Sequence, residues 1–287
     1  MAHPEPKDHA NYGSAGYLDE TEKALLNAGL PRYYSHIVAL YEREKHYSFV
    51  IDFARLALQF IPLGPKDQQD SDLRTDLHSR LFNAAVQTCR YELAHSTLHL
   101  FTDSALQHSS LRTLLTKMCE TSCATQLVNL PFLGLQESVD AILSQKCQSI
   151  VDVTVGVPYH NILYAWRINR SDFRGAAAIS LERLCKLQKP RNEDKVMISE
   201  GLETPITKEY LALINALSCV DPEQAWIVHE GDPARAGPAH KAGVASNKRS
   251  LVTLEDIRKG YQEELDRIAA IENNQFALVG GDEMDIL

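Results

Sequence analysis

No apolar run in the sequence approaches the ~18–20 residues that a bilayer-spanning helix needs, so the chain is not expected to cross a membrane. The amino terminus, Met1-Ala2-His3-Pro4-Glu5-Pro6, has neither the apolar core of a secretory signal nor the Arg-rich character of a transit peptide. There is no excess of positive charge either: 29 Lys and Arg face 38 Asp and Glu, a net charge of −9. Nucleic-acid binding rests on neutralising phosphates, so that balance argues against a DNA or RNA partner. Six cysteines stand singly, without a C-x-x-C pair or a regular framework. That excludes a disulfide scaffold and implies reduced thiols of the cytosol or nucleus, most of them buried as small hydrophobes.

Catalytic patterns are missing as well. The chain has no G-x-S-x-G, no G-x-x-x-x-G-K-[ST], and no G-x-G-x-x-G opening a helix. His95 and His99 share a helix face at i, i+4, but the zincin pattern needs Glu directly after the first His, and Ser96 stands there. Cys119 and Cys123 have the same spacing and lack two further ligands. Acid pairs such as Glu255/Asp256 and Glu263/Glu264 sit among Arg and Lys, as on a solvated helix face, whereas an acid/base couple needs a desolvated pocket. We therefore expect no catalytic residue, no cofactor and no metal. The chain does not read as an enzyme.

What is present is helix. With 44% hydrophobic and 23% charged residues the composition is that of an ordinary globular protein, and apolar residues recur at helical spacing almost throughout. Examples are Tyr34, Ile37, Val38 and Tyr41, then Phe49, Val50, Phe53, Leu56 and Phe60, and later Val139, Ile142, Leu143 and Cys147. Further helices are predicted near Asp19–Asn27, over Phe173–Leu187, near Ile206–Cys219 and over Pro222–Val228, and no convincing period-two alternation is found. Pro62 to Asp70 breaks the first group. No fixed repeat period and no tetratricopeptide, ankyrin or leucine-rich signature is visible. The fold class that follows is all-α, an irregular α-solenoid-like stack of about a dozen helices in antiparallel pairs.

The organisation reads as a disordered or vector-derived leader over residues 1–17 and the helical array over 18–230. A Gly/Pro/Ala/Ser-rich flexible linker follows over 231–250, then a docking helix over 251–273 and an acidic tail over 274–287. Thr253 and Asp256 have the spacing of a capping box at the start of that helix, and Leu254, Ile257, Tyr261, Leu265 and Ile268 line one of its faces. Aromatic residues and Arg dominate binding hot spots, and the candidate protein-interface residues are Trp226 and, on the stripe of the last helix, Tyr261, Leu265 and Ile268.

Three blocks resemble one family. They are Leu127-Val128-Asn129-Leu130-Pro131-Phe132-Leu133-Gly134-Leu135, then Tyr159 to Arg170 with Asp172-Phe173-Arg174-Gly175, then Tyr210 to Leu217 with Asp221-Pro222-Glu223-Gln224-Ala225-Trp226-Ile227, resuming at Val252 to Arg258. Together they are similar to the carboxy-terminal helical region of the large short-arm scaffold nucleoporin of the Y-shaped nuclear pore complex. That family is named after one hundred and twenty kilodaltons in fungi and one hundred and sixty in vertebrates. Trp166 stands where Phe is expected, and Ser171-Asp172 replaces a Gly-Asn turn. The resemblance implies a structural scaffold at the nuclear envelope that supports protein and messenger RNA transport. Its partners would be other Y-complex scaffold nucleoporins: the helical nucleoporin of the other short arm and the stem nucleoporin. It also implies that the present chain is a fragment of a protein that begins with a β-propeller. The competing class is a transient peptide- or cargo-binding solenoid adaptor, which a groove with regularly repeated polar residues would distinguish.

Overall fold

The computed structural model describes residues 23–24, 27–62, 68–188, 204–230 and 249–279. It forms two compact units, Met1–Met118 and Cys119–Leu287. Among the described residues there are eleven α-helices, one 3-10 turn and one two-stranded ribbon.

The first unit holds α1 (Leu30–Arg43), α2 (Tyr47–Phe60), α3 (Gln68–Gln87), α4 (Tyr91–Leu98) and most of α5 (Ser104–Glu120). Val38, Val50, Ile51, Ala54, Ala57, Leu77 and Leu81 make one buried cluster from the apolar stripes of α1, α2 and α3. Alanines at 54 and 57 let the backbones approach, and rings fill the flank: Tyr41 stacks on Phe53, and Tyr34 on Phe53 and Phe60.

The second unit holds α6 (Ala124–Asn129), α7 (Gln136–Ser149), α8 (Tyr159–Ile168), α9 (Phe173–Leu187) and α10 (Pro205–Ser218). After the 3-10 turn Pro222–Gln224 come β1 (Trp226–Glu230), β2 (Arg249–Thr253) and α11 (Leu254–Val279). Its core gathers Ala177, Leu181, Leu184, Ile206, Leu213, Leu217, Ile227 and Ile257. The last helix thus returns its Ile257 to the core of its own unit.

Three helix junctions share one turn. In each, a residue two or three positions past the last helical residue adopts a left-handed φ: Lys45 at 59°, Cys89 at 56° and Ser171 at 61°. The next amide reaches back five residues, His46 to the Tyr41 carbonyl, Arg90 to Ala85 and Asp172 to Arg167. The left-handed residue's own amide bonds three residues back, to Glu42, Val86 and Ile168. This is the Schellman closure, made here without the usual glycine. Its short reach is what folds α1 onto α2, α3 onto α4 and α8 onto α9.

Several expectations need correction. Pro222–Val228 is a 3-10 turn and the start of a strand, and the period-two alternation that seemed missing lies here: Ile227 points into the core while Val228 is exposed. A run of only four apolar residues, Ala225-Trp226-Ile227-Val228, carries too little periodicity to separate strand from helix. The strands pair antiparallel from Trp226↔Thr253 to Glu230↔Arg249, so residues 249 and 250 belong to β2 and not to a linker. The docking helix begins at Leu254 and runs to Val279, so residues 251–253 are strand and 274–279 helix. The leader at 1–17, the linker at 231–248 and the tail at 280–287 lie outside the described residues, as does most of the predicted first helix. The cysteines are free, but only Cys119 and Cys147 are buried, whereas Cys89 and Cys219 are exposed at turns.

Candidate interaction surface

Charged side chains tie the helices of the second unit to one another. Arg167, near the end of α8, donates Nε and Nη2 to the two carboxylate oxygens of Asp140 on α7, both at 2.7 Å. Its Nη1 donates to the Gly175 carbonyl at the start of α9 at 2.8 Å, so one guanidinium holds three helices in register. The hydrogen bond to Asp140 raises the Arg167 pKa further, against the opposing pull of burial. One turn on, Arg170 lies against the Trp166 ring and donates to the Val128 and Leu130 carbonyls at the end of α6. A cation there satisfies carbonyls that a helix C-terminus leaves open.

Two further ties involve α9. Glu209 of α10 is buried and accepts from the Ser180 hydroxyl and from Arg183 Nη1. Lys186 donates to Glu182 at 2.7 Å and to the Cys147 carbonyl at 2.8 Å, and Glu182 lies 3.5 Å from buried His160. A hydrogen bond from His160, helped by Lys186 against the effect of burial, holds the Glu182 carboxyl down at about 2. Every buried side-chain nitrogen and oxygen among the described residues has a partner. Rigid positioning is what such a set achieves.

On this base sits the ribbon. Trp226 is half-buried, with the Arg174 guanidinium 4.2 Å from its ring centre. Val228 and Leu251 are direct cross-strand partners, and both are exposed, at 49% and 58%. The capping box forms as spaced: the Thr253 amide and hydroxyl donate to Asp256 at 2.9 and 2.7 Å, and the Asp256 amide returns to the Thr253 hydroxyl. Of the helix-face candidates, Tyr261 is half-buried with its ring 6.1 Å from that of Tyr210, Leu265 is half-buried, and Ile268 is buried. The predicted interface stripe therefore turns largely inward. Sequence reasoning did not single out Val228 and Leu251, which only the strand register places side by side.

It also missed Asp140, Ser180, Glu182 and Glu209. One signal was available: Glu209 occupies the apolar stripe of Ile206, Leu213 and Ala216, and a charge on such a stripe calls for a buried partner. The other acids carry no pattern that separates them from surface charge. His95 and His99, by contrast, meet on the surface of α4.

The sequence model of the family described as "Nucleoporin Nup120, HEAT repeats" matches residues 1–120. Nucleoporin NUP120 of Chaetomium thermophilum is 40% identical over 97% of this chain and 28% of its own length. The chain belongs to the Nup120/Nup160 nucleoporin family. Nucleoporin nup120 of Schizosaccharomyces pombe is 26% identical over 68% of this chain and 16% of its own length. For nuclear pore complex protein Nup160 of Mus musculus the identity is 27%, over 80% of this chain and 16% of that protein. The chain thus spans less than a third of the length of these curated relatives. They are named as pore proteins and not as enzymes. HEAT repeats are helix pairs, and the uneven lengths of α1 to α5 in this Nup120/Nup160 member, from 8 to 20 residues, explain why no fixed period shows in the sequence. Among the described residues no helix is long and apolar enough to cross a membrane, and no group of three or more His, Cys, Asp or Glu is placed to hold a metal ion.

Proposed function

We propose that the chain is a structural joint of the Y-shaped scaffold of the nuclear pore, acting at the nuclear envelope in support of transport. In this reading it links the helical nucleoporin of the other short arm to the stem nucleoporin. The observation that carries it is the 40% identity to a fungal NUP120 along 97% of the chain. The architecture supports it: stacked helices expose much surface, and the charged ties of the second unit hold that surface in one shape. A stable joint needs interfaces of ~1,200 Å² or more in total.

Within this reading, Val228, Leu251 and Trp226 offer an apolar patch at one edge of the unit, and Tyr261 and Leu265 contribute what α11 leaves half-open. Ile268 acts from within, by fixing the helix. Light scattering on mixtures of this chain with the two candidate partners tests the proposal. The expected result is one complex containing all three, weakened by Leu251→Asp without loss of thermal stability, because that side chain is exposed. Elution of the chain unchanged beside both partners would sink it.

A further inference from the structure

Helix α4 ends in a pair of imidazoles. His95 lies on its last turn and His99 is its C-cap, and their Nε2 atoms approach to 3.4 Å with ring centres 4.9 Å apart at 80°. His99 is exposed and His95 half-buried. A separation of 3.4 Å is long for a proton shared between two nitrogens. It matches tetrahedral chelation: two nitrogens, each ~2.0–2.1 Å from a zinc-class ion, lie about 3.3–3.4 Å apart. The position adds to this, since carbonyl ends at a helix C-terminus favour a cation.

The geometry points to His95 and His99 as a two-ligand clamp for a divalent transition-metal ion of the zinc class. Both histidines bind through Nε2, with Nδ1 carrying the proton. The described residues place no third His, Cys, Asp or Glu to complete a set, so water fills the other positions in the isolated chain. This makes the clamp an open, exchangeable site, unlike a closed structural one. It stands apart from the joint proposed above and involves none of its residues.

Tag-free protein of the full chain, alkylated so that the exposed Cys89 and Cys219 cannot compete, is titrated with zinc chloride. Histidine ring signals are followed by NMR and binding by calorimetry. The expected result is one ion per chain, with the His95 and His99 signals moving together. Affinity should fall by roughly tenfold or more in His99→Ala, the scale on which even outer-shell partners count. His108→Ala is a matched surface control and should bind as the parent does. Acidification should release the ion, because a protonated imidazole has no lone pair to give. Zinc binding unaltered by His99→Ala, or His95 and His99 signals unmoved by millimolar zinc, would overturn the proposal.

Discussion

In the unit ending at Met118 the first hairpin is joined by stacked rings, Tyr34 and Tyr41 on Phe53 and Phe60, with Phe49 and Phe60 about half exposed. Its ion pairs are somewhat more open, as where half-buried Arg80 meets half-buried Glu42 and exposed Asp76. In the unit beginning at Cys119 the ties are buried or half-buried charges: Asp140 is matched to Arg167, Glu209 to Arg183, and Glu182 to Lys186 and His160. Apolar contacts are non-directional and tolerate small slides between helices. Bidentate charge pairs do not, since their strength depends on both partners keeping one geometry. The second unit is therefore the one whose surface is held to a single shape.

The same substitution in each unit breaks this comparison most sharply. Arg167→Ala leaves Asp140 half-buried without its fork and frees the Gly175 carbonyl, and should cost about 3 kcal/mol. Arg80→Ala removes two more exposed pairs and should cost no more than about 1 kcal/mol. Both tryptophans, Trp166 and Trp226, belong to the second unit, so their fluorescence in guanidinium reports that unit alone. Hydrogen exchange follows the first. Equal losses at the two arginines would remove the distinction.

How much of this was legible in the sequence follows from the same contrast. Apolar stripes are written every three to four residues, so the Tyr34–Tyr41 and Phe49–Phe60 stripes fall within α1 and α2, and Phe173–Leu187 is α9 without error. The charge ties were not legible, because Asp140 and Arg167 stand 27 residues apart and Ser180 and Glu209 stand 29 apart. Nothing local marks such residues as partners. Val228 and Leu251 were lost for a related reason: their pairing depends on a strand register closed across a long gap. The family blocks did contain Arg167, Arg170 and Asp172, which the structure brings to the α8–α9 turn.

Acid should separate the units next. The folded Glu182 carboxyl sits at about 2 against an ordinary value of 4.5. A depressed carboxylate contributes stability above its unfolded value and loses it as pH falls through the folded one. The tryptophan-reported midpoint should therefore decline from pH 4.5 towards pH 2, and Glu182→Gln should flatten that decline while lowering stability at pH 7. An unchanged acid limb in the variant would show that Glu182 does not tie α9 to its neighbours.

Thiol chemistry offers a finer probe. Burial pushes the Cys147 and Cys119 thiols up to about 12, so roughly one part in ten thousand is thiolate at pH 8. Cys89 and Cys219 are exposed and should react with a disulfide reagent first, half-buried Cys123 and Cys185 more slowly, with the buried pair following only on unfolding. In Arg167→Ala the Cys147 thiol should become the faster of the buried pair, because α7 has lost its clamp. No acceleration would mean that the apolar contacts of α7 suffice.

The smallest effect asks whether the two kinds of packing constrain a turn that both units use. Lys45 and Ser171 occupy the same left-handed position in Schellman turns, one in each unit. A non-glycine residue there carries a steric cost of ~1–2 kcal/mol, which glycine removes. Glycine also gives the unfolded chain more freedom to lose, worth ~0.5–1 kcal/mol in the opposite direction. Lys45→Gly and Ser171→Gly should therefore each stabilise their own unit by roughly 0–1 kcal/mol. At Ser171 the relaxed turn must still deliver Asp172 to its cap on the Gly175 amide, at 2.9 Å, and keep the Arg167 carbonyl in place for the Asp172 amide. The charged ties leave little room for that turn to adjust. If they govern the junction, Ser171→Gly should gain less than Lys45→Gly, whose neighbours are stacked rings free to shift by a few tenths of an ångström. A larger gain at Ser171 would mean that the turn sets the geometry and that the Arg167 fork merely follows it.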